Sequence, residues 1–314
     1  MKKLFLGVVV VVLVAAGGIA LHLRARWQAQ AELVAAVDSG NWSSVESLVK
    51  SGVNVNVRGK GGLTLLQRAI THNDAALLQR ILDAKPDVKL EDDLGETALE
   101  TASQAGKAEL VRELISRGAD VRRRNKHGRT PLICAASARK QDVADVLLAA
   151  GADPNAAATD GISPLSSAIG QNAPEFVALL LKAGADANAR SSGGFSMLHE
   201  ACSQGNPTTV RMLIEAKADV KAKNSGGLTP LHSAASSNSP AVVKLILAAS
   251  PELNAVSTAG WTALHTAVSM NRLENVRLIV AAGADLAIKN AAGQTPRELA
   301  VAEGRTEIAR VLGR

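Results

Sequence analysis

Three histidines are the first residues in this chain whose type and spacing could support chemistry. His199, His232 and His265 are equally spaced along the chain. Imidazole nitrogens bind zinc when several of them converge on one ion at about 2.0–2.1 Å. Whether these three can converge depends on the secondary structure that carries them.

The histidines belong to a motif that recurs with a constant period. The leading glycines of the motif are Gly62, Gly95, Gly128, Gly161, Gly194, Gly227, Gly260 and Gly293. Two residues later stand Thr64, Thr97, Thr130, Ser163, Ser196, Thr229, Thr262 and Thr295. Two residues further on stand Leu66, Leu99, Leu132, Leu165, Leu198, Leu231 and Leu264, with Arg297 in the last copy. A fixed period of about 33 residues indicates a stacked array of structural repeats.

Every copy of the motif predicts the same local structure. The glycine permits a tight hairpin turn with positive φ, the threonine or serine caps a helix, and a following proline suits the first helical position. Eleven residues after the glycine comes glycine or asparagine, which tolerate the left-handed conformation that ends a helix, and only Arg139 departs. A second helix follows, opened by proline at Pro174, Pro207 and Pro240 and closed by glycine at Gly118, Gly151, Gly184 and Gly283. Each unit is therefore predicted to be a hairpin, a short helix, a turn and a second helix.

The motif resembles that of the ankyrin repeat family. The resemblance rests on Gly-x-Thr-Pro-Leu-His-x-Ala, best formed at Gly227–Ala234, and on Gly-Ala-Asp at Gly283–Asp285, and it covers about residues 30 to 314. It implies an all-α ankyrin-repeat solenoid built from units of this period. It also implies a structural role for the motif histidine and a protein-binding concave face, formed by the hairpin tips and the exposed side of each first helix.

The repeats argue against chemistry at the candidate residues. Successive histidines would lie about one helix spacing of 8–10 Å apart, so neighbouring copies are poorly placed to share a zinc ion. The Gly-x-Ser pieces at Gly161 and Gly194 lack the last glycine of a nucleophile elbow. Gly106-Lys107 lacks the Ser or Thr that follows in a phosphate-binding loop, and Asp92-Asp93 falls on a hairpin. No catalytic, cofactor-binding or metal-binding residue is predicted, and the chain is not predicted to be an enzyme.

Composition argues against two further classes, nucleic-acid-binding proteins and disulfide-linked proteins. The chain has 35 Lys and Arg against 29 Asp and Glu, but four of the basic residues precede the first acid, Glu32. The repeats are therefore close to neutral, and Tyr is absent, which argues against nucleic-acid binding. Cys134 and Cys202 fall in first helices two units apart, beyond disulfide reach, and are predicted to be core residues.

The N-terminus predicts a membrane segment. Lys2 and Lys3 precede an uncharged apolar run from Leu4 to Leu21, which His22 and Leu23 could extend. Its length reaches the lower bound for a bilayer span and favours an uncleaved transmembrane helix over residues 1–23, inserted through Leu4 to Leu23. The alternative is a cleaved signal peptide, because two small-residue sites resemble cleavage sites.

Equal numbers of basic residues on the two flanks of the apolar run leave its orientation open. N-terminal signal anchors usually export the following domain, so we expect a single-pass membrane protein with periplasmic repeats. A secreted or periplasmic soluble protein is the alternative.

The remaining boundaries follow from the repeat phase. Residues 24–30 are predicted to be a polar linker, and residues 31–61 an N-terminal capping unit that lacks the Gly-x-Thr entry. Residues 62–292 form seven repeats, and residues 293–314 form a C-terminal capping repeat.

The candidate binding residues lie at the hairpin position after each leading glycine. Four successive tips are large and apolar, Ile162, Phe195, Leu228 and Trp261, with Arg129 at the tip before them. Met270 falls on the same face by family analogy. Apolar groups in an exposed row are a candidate contact surface, although tips of this kind can instead pack on the next hairpin. These six residues are the predicted partner-binding site.

One hairpin is strongly basic, with Arg122, Arg123, Arg124 and Lys126, and the preceding hairpin is acidic, with Glu91, Asp92, Asp93 and Glu96. We predict that these two hairpins neutralise each other, although anionic lipid is an alternative partner for the basic one.

The function predicted for the chain is a membrane-tethered scaffold that binds a protein or peptide. The alternatives are a soluble exported form of it and a purely structural spacer. Neither the partner nor the oligomeric state follows from the sequence.

Overall fold

The computed structural model describes residues 24–313. The predicted membrane segment, residues 1–23, lies outside this range. None of the helices within the range combines the length and the hydrophobicity that crossing a bilayer requires.

The described chain is an all-α array of paired helices joined by hairpins. The helices are α1 (residues 24–39), α2 (Trp42–Lys50), α3 (Leu65–His72), α4 (Ala75–Asp83), α5 (Ala98–Ala105), α6 (Ala108–Ser116), α7 (Pro131–Ser137), α8 (Gln141–Ala149), α9 (Pro164–Gly170), α10 (Pro174–Lys182), α11 (Met197–Gln204), α12 (Pro207–Glu215), α13 (Pro230–Ser236), α14 (Pro240–Ala248), α15 (Ala263–Ser269), α16 (Leu273–Ala281), α17 (Pro296–Ala302) and α18 (Thr306–Leu312). A short 3-10 turn, Lys60–Gly62, precedes α3.

The chain divides into two compact units, one ending at Lys126 and one beginning at His127. In the second unit the first helices of successive repeats, α7, α9, α11, α13, α15 and α17, pack side by side. The second helices from α10 to α18 form a parallel row in the same way. Leu198, Leu231 and Leu264 lie fully inside the first row, because the repeat places one leucine at the same depth in every copy.

The predicted helix caps are confirmed. All eight motif threonines and serines lie in extended backbone immediately before a first helix. At Thr64 the hydroxyl accepts a hydrogen bond from the backbone N–H of Gln67, and the Gln67 side chain accepts one from the N–H of Thr64. Such reciprocal bonds satisfy two of the donors that a helix start leaves unpaired.

Two turns between paired helices differ from the prediction. Arg139, the residue that breaks the Gly/Asn pattern, adopts the left-handed conformation with φ 57°. Asn238, which fits the pattern, does not, because α13 ends at Ser236 and the next residue, Ser237, is in extended backbone. There the Asn275 side-chain amide donates to the carbonyls of Ala234, Ala235 and Ser237. These bonds satisfy helix-end carbonyls that a left-handed turn would otherwise cap.

The stretch 24–30, which we predicted to be a linker, is instead helical and continuous with the rest of α1. The linker prediction relied on its polarity. Arg24, Arg26, Gln28 and Gln30 are, however, good helix formers, and no glycine or proline interrupts them.

Neighbouring hairpins in the second unit approach closely at the repeat glycine. The N–H of Thr258 donates to the carbonyl of Gly226, and the N–H of Ala291 donates to the carbonyl of Ala259. Gly260 has φ 70°, and a Cβ placed on it would lie 2.8 Å from the backbone nitrogen of Ala291. The recurring glycine therefore meets two requirements, a left-handed backbone and room for the next hairpin.

Candidate functional site

The three motif histidines are structural. In each, Nδ1 accepts a hydrogen bond from the backbone N–H of its own cap residue, Ser196, Thr229 or Thr262. Because a backbone N–H can only donate, Nδ1 is unprotonated and the proton lies on Nε2. Nε2 donates in turn to the hairpin carbonyl of the next repeat, at Leu228, Trp261 or Gln294. We call this series, His199, His232 and His265, the histidine ladder. It confirms the structural role that the family resemblance implied.

The environment of the histidine ladder keeps it neutral. His199 and His265 are fully enclosed and His232 is nearly so. Burial lowers the pKa of all three, opposed by the hydrogen bond from Nε2 to the next repeat. Among residues 24–313, no three His, Cys, Asp or Glu side chains are placed to hold a metal ion together.

Both cysteines are free and buried, as predicted for core residues. Burial in apolar surroundings raises the pKa of the Cys202 thiol, so its reactive thiolate form is suppressed.

Five of the six predicted contact residues lie at the hairpin tips and are partly accessible. Ile162 is 39% exposed and Phe195 is 38% exposed, whereas Leu228, Trp261 and Arg129 are half-buried. The Phe195 ring stands edge-on to His199 with centroids 5.8 Å apart, and the Trp261 ring lies 6.2 Å from that of His265. The two aromatic tips therefore pack on the histidine of their own repeat and present their remaining surface to solvent.

Met270 lies apart from the tips. It follows α15 directly and is 48% exposed. The whole of α15 separates it from the cap Thr262 beside the Trp261 tip. At the usual rise of an α-helix this is a distance of about 10 Å along the axis. Met270 therefore belongs to the opposite end of the first-helix face, not to the row of tips.

A cleft in the second unit brings Arg129 and Ile162 together. Its volume is about 320 Å³. Small polar side chains line much of it, Ser137, Ser166, Ser167 and Ser191. The Arg129 guanidinium donates a hydrogen bond of 2.9 Å to the Ser137 hydroxyl, which orients the arginine across the cleft.

The same cleft contains a residue that the sequence did not single out, Glu200. It lies on α11 four residues after the cap Ser196, where neighbouring repeats have Ser167, Ser233 and Thr266. Burial raises the pKa of Glu200 to about 7, and no basic side chain of the described chain counteracts that shift. The signal available in the sequence was the single acid at this position of the motif, where the other copies have Arg68, Thr101, Cys134, Ser167, Ser233, Thr266 and Leu299.

The acidic and basic hairpins of the first unit neutralise each other in part, as predicted. The Arg123 guanidinium lies 2.7 Å from the Glu91 carboxylate. The Lys126 ammonium donates to the backbone carbonyl of Asp93, whose carboxylate lies 2.9 Å from Arg58. The buried Asp92 carboxylate stabilises its own hairpin, because it accepts hydrogen bonds from the backbone N–H groups of Leu94 and Glu96. Exposed ion pairs of this kind add little stability.

The paired helices, the capped helix starts and the histidine ladder define the class of the protein. It is a tandem helical-repeat protein in which buried polar side chains join successive repeats. The family model described as ankyrin repeats (3 copies) matches in overlapping segments, residues 33–125, 66–158, 153–224, 198–290 and 231–313. The chain belongs to the ankyrin repeat family. Membership implies a protein-interaction scaffold with protein partners in general. A search of curated proteins found no significant match.

Proposed function

We propose that this chain is a scaffold that binds a protein or peptide segment on the face formed by the hairpin tips and first helices of the second unit. The observation that carries the proposal is the row of apolar tips that stays partly exposed from Ile162 to Trp261. A solenoid buries its core through contacts between neighbouring repeats, so it has no need of apolar tips in solvent. Accessible apolar groups in a row favour a contact surface.

Two features support binding by a surface that is ordered beforehand. Several neighbouring hairpins are hydrogen-bonded to one another, as between Thr258 and Gly226. The histidine ladder ties α11, α13 and α15 to the hairpin that follows each of them. A surface that is already ordered loses little conformational entropy on association. Aromatic residues such as Trp261 contribute strongly when a partner covers them.

The proposed tether is the segment 1–23, and the support for it is the sequence alone. The apolar run from Leu4 to Leu21 is long enough to cross a bilayer, and we propose that the repeats lie on the periplasmic side. Protease treatment of intact spheroplasts tests both statements. We expect the repeats to be degraded from outside while a membrane-bound N-terminal fragment remains. Full protection of the repeats would reverse the orientation, and release of intact repeats would favour the cleaved form.

The binding proposal is tested by selecting random linear peptides on the full chain. We expect Ile162→Ala and Phe195→Ala to weaken selected peptides about tenfold or more, a loss of about 1.4 kcal/mol. Lys244→Ala, an exposed change on the second helix α14, is the control and should leave affinity unchanged. Because Phe195 also packs on His199, its variant is compared at a temperature well below its own melting point. Failure to select any peptide, or binding indifferent to the tips, would favour the structural spacer.

A further inference from the structure

The carboxylate of Glu200 is the only one in its cleft that lies without a hydrogen-bonding partner among the described residues. It is half-buried, and burial alone raises its pKa, to about 7. By contrast, each fully buried carboxylate has at least one oxygen with partners within the fold. Glu100 accepts on Oε2 from the N–H and hydroxyl of Thr97, while its Oε1 has no partner, and Asp92 accepts from its own hairpin. A desolvated, unpaired charge is costly, and an incoming cation would offset that cost.

The other charges that face the cleft are already engaged. Asp160 is exposed, and its carboxylate accepts a hydrogen bond of 3.0 Å from the N–H of Ile162. Arg129 donates to Ser137. With Glu200 ionised, the lining carries two carboxylates and one guanidinium, so its charge is complementary to a single cation. Arg190, which acts on the neighbouring His199, donates to the carbonyls of Gly194 and Lys223.

The surroundings of Glu200 favour an organic cation on a chain over a metal ion. No group of three metal-binding side chains occurs in the described part of the chain, and a single carboxylate is a poor site for a divalent ion. The serine-lined walls leave room for a long, slender side chain, and Ile162 presents apolar surface in the same cleft. Lysine and arginine combine an apolar stem with a charged end, which matches this lining.

Repeat spacing indicates the conformation of the partner. Stacked helices lie about 8–10 Å apart. A peptide in the polyproline II conformation advances about 3.1 Å per residue with three residues per turn, so side chains three residues apart lie on one face about 9 Å apart. Apolar side chains at that spacing would therefore meet successive tips. Ile162 and Phe195 are successive tips, and Glu200 belongs to the same repeat as Phe195.

We propose that the cleft at Glu200 binds a lysine or arginine of a peptide segment in the polyproline II conformation, whose flanking apolar residues, spaced about three apart, pack on Ile162 and Phe195. The proposal rests on the proposed function and adds the chemical class of the partner. Glu200 sets the charge preference, and the tips supply the apolar contact.

The test uses random linear peptides selected on the full chain at pH 8, with each selected peptide measured against three proteins. These are the wild type, Glu200→Gln, which keeps the shape and removes the charge, and Glu175→Gln, an exposed carboxylate on α10, as the matched control. We expect the selected peptides to contain a lysine or arginine. They should bind Glu200→Gln about tenfold more weakly and Glu175→Gln as well as the wild type.

A pH series gives a second, independent measurement. Because an ionised Glu200 must pair with the cation, protons compete with the peptide below the pKa of the free carboxyl, about 7. Affinity for the wild type should fall about tenfold between pH 8 and pH 6, whereas affinity for Glu200→Gln should change little. Urea unfolding of Glu200→Gln, which removes a disfavoured charge, should show a stability at pH 8 no lower than that of the wild type.

The two proposals fail in different ways. Selected peptides that depend on Ile162 and Phe195 but lack a basic residue, and bind Glu200→Gln normally, would overturn the cation site and leave the scaffold function intact. Peptides whose binding ignores both Glu200 and the tips would overturn the proposed function itself. An affinity that stays constant from pH 8 to pH 6 would also refute the role of Glu200.

Discussion

Replacing His232 by alanine tests whether the histidine ladder holds the stack together. Its Nδ1 accepts from the Thr229 N–H at 3.1 Å, and its Nε2 donates to the Trp261 carbonyl of the next repeat at 2.9 Å. The side chain is almost completely buried, so water cannot replace either bond without entering the core. The substitution therefore removes a link within one repeat and a link between two repeats.

The expected cost follows from the groups that are left behind. The Thr229 N–H and the Trp261 carbonyl would each lose a buried hydrogen bond, at about 1–3 kcal/mol apiece. The missing ring adds a cavity term. We expect a loss of about 3–5 kcal/mol in the free energy of unfolding, near the upper end for a single substitution.

The chain contains its own control for this substitution. Gln67 occupies the histidine position of an earlier repeat, where its oxygen accepts from the Thr64 N–H at 2.9 Å and its amide donates to the Glu96 carbonyl at 3.2 Å. Glutamine can therefore make both bonds in this architecture. His232→Gln should cost less than about 1.5 kcal/mol, the worth of one ordinary hydrogen bond.

Urea unfolding followed by circular dichroism at neutral pH measures both variants. The slope of the transition reports whether the same surface is exposed in each, and a repeat array calls for a nearest-neighbour fit if the transition broadens. The reasoning is refuted if alanine costs less than about 0.5 kcal/mol, the range of ordinary surface substitutions. It is equally refuted if glutamine costs as much as alanine, since the loss would then come from shape and not from the two bonds.

Three further predictions concern stability. Burial lowers the pKa of the ladder histidines, so the unfolded state takes up protons at higher pH than the folded state. The free energy of unfolding should therefore fall as the pH drops below about 6.5, and should go on falling until the lower folded-state pKa is passed. Urea midpoints that do not move between pH 7.5 and pH 5.5 would contradict this. Asn275→Ala removes three side-chain bonds to helix-end carbonyls and should cost about 2–3 kcal/mol in the same assay; a near-neutral effect would show that water caps α13 equally well. Gly260→Ala places a Cβ against the next hairpin and should cost more than Gly283→Ala, where a Cβ meets nothing within 4 Å, by about 1 kcal/mol or more; equal melting temperatures would indicate that the left-handed backbone is the whole cost.

The local elements could be predicted because each depends on a few adjacent residues. A threonine such as Thr64 caps the helix that begins one residue later, and the repeat phase identifies every copy. Residues 24–30 show the limit of local prediction, because their polarity suggests a linker whereas the same residues favour a helix, and the structure has a helix there.

The turns show a second limit, because their conformation depends on distant groups. Arg139 adopts a left-handed turn without being glycine or asparagine. Asn238 avoids it because the amide of Asn275, in the following repeat, reaches the end of α13. The residue at the turn does not by itself determine either conformation, and at Asn238 the deciding donor lies 38 positions away from Ser237.

Part of the candidate site could also be predicted from local sequence, and part could not. Its tips could be located from the repeat phase, because the position after each leading glycine is fixed by the hairpin. The environment of Glu200 could not, since its raised pKa depends on burial among Arg129, Ser167 and other residues of two preceding repeats. Burial is a property of the stack and not of any single repeat.

The fold of the repeat therefore does not require an acidic side chain at the position of Glu200. The ladder histidine next to it, His199, joins the repeats. The two copies that follow keep that histidine, as His232 and His265, and have Ser233 and Thr266 at the position of Glu200. The stack tolerates a small neutral side chain there, so stability offers no reason for a half-buried carboxylate with a penalised charge. A residue that costs stability and faces an accessible cleft is better explained by a ligand that relieves the cost than by packing.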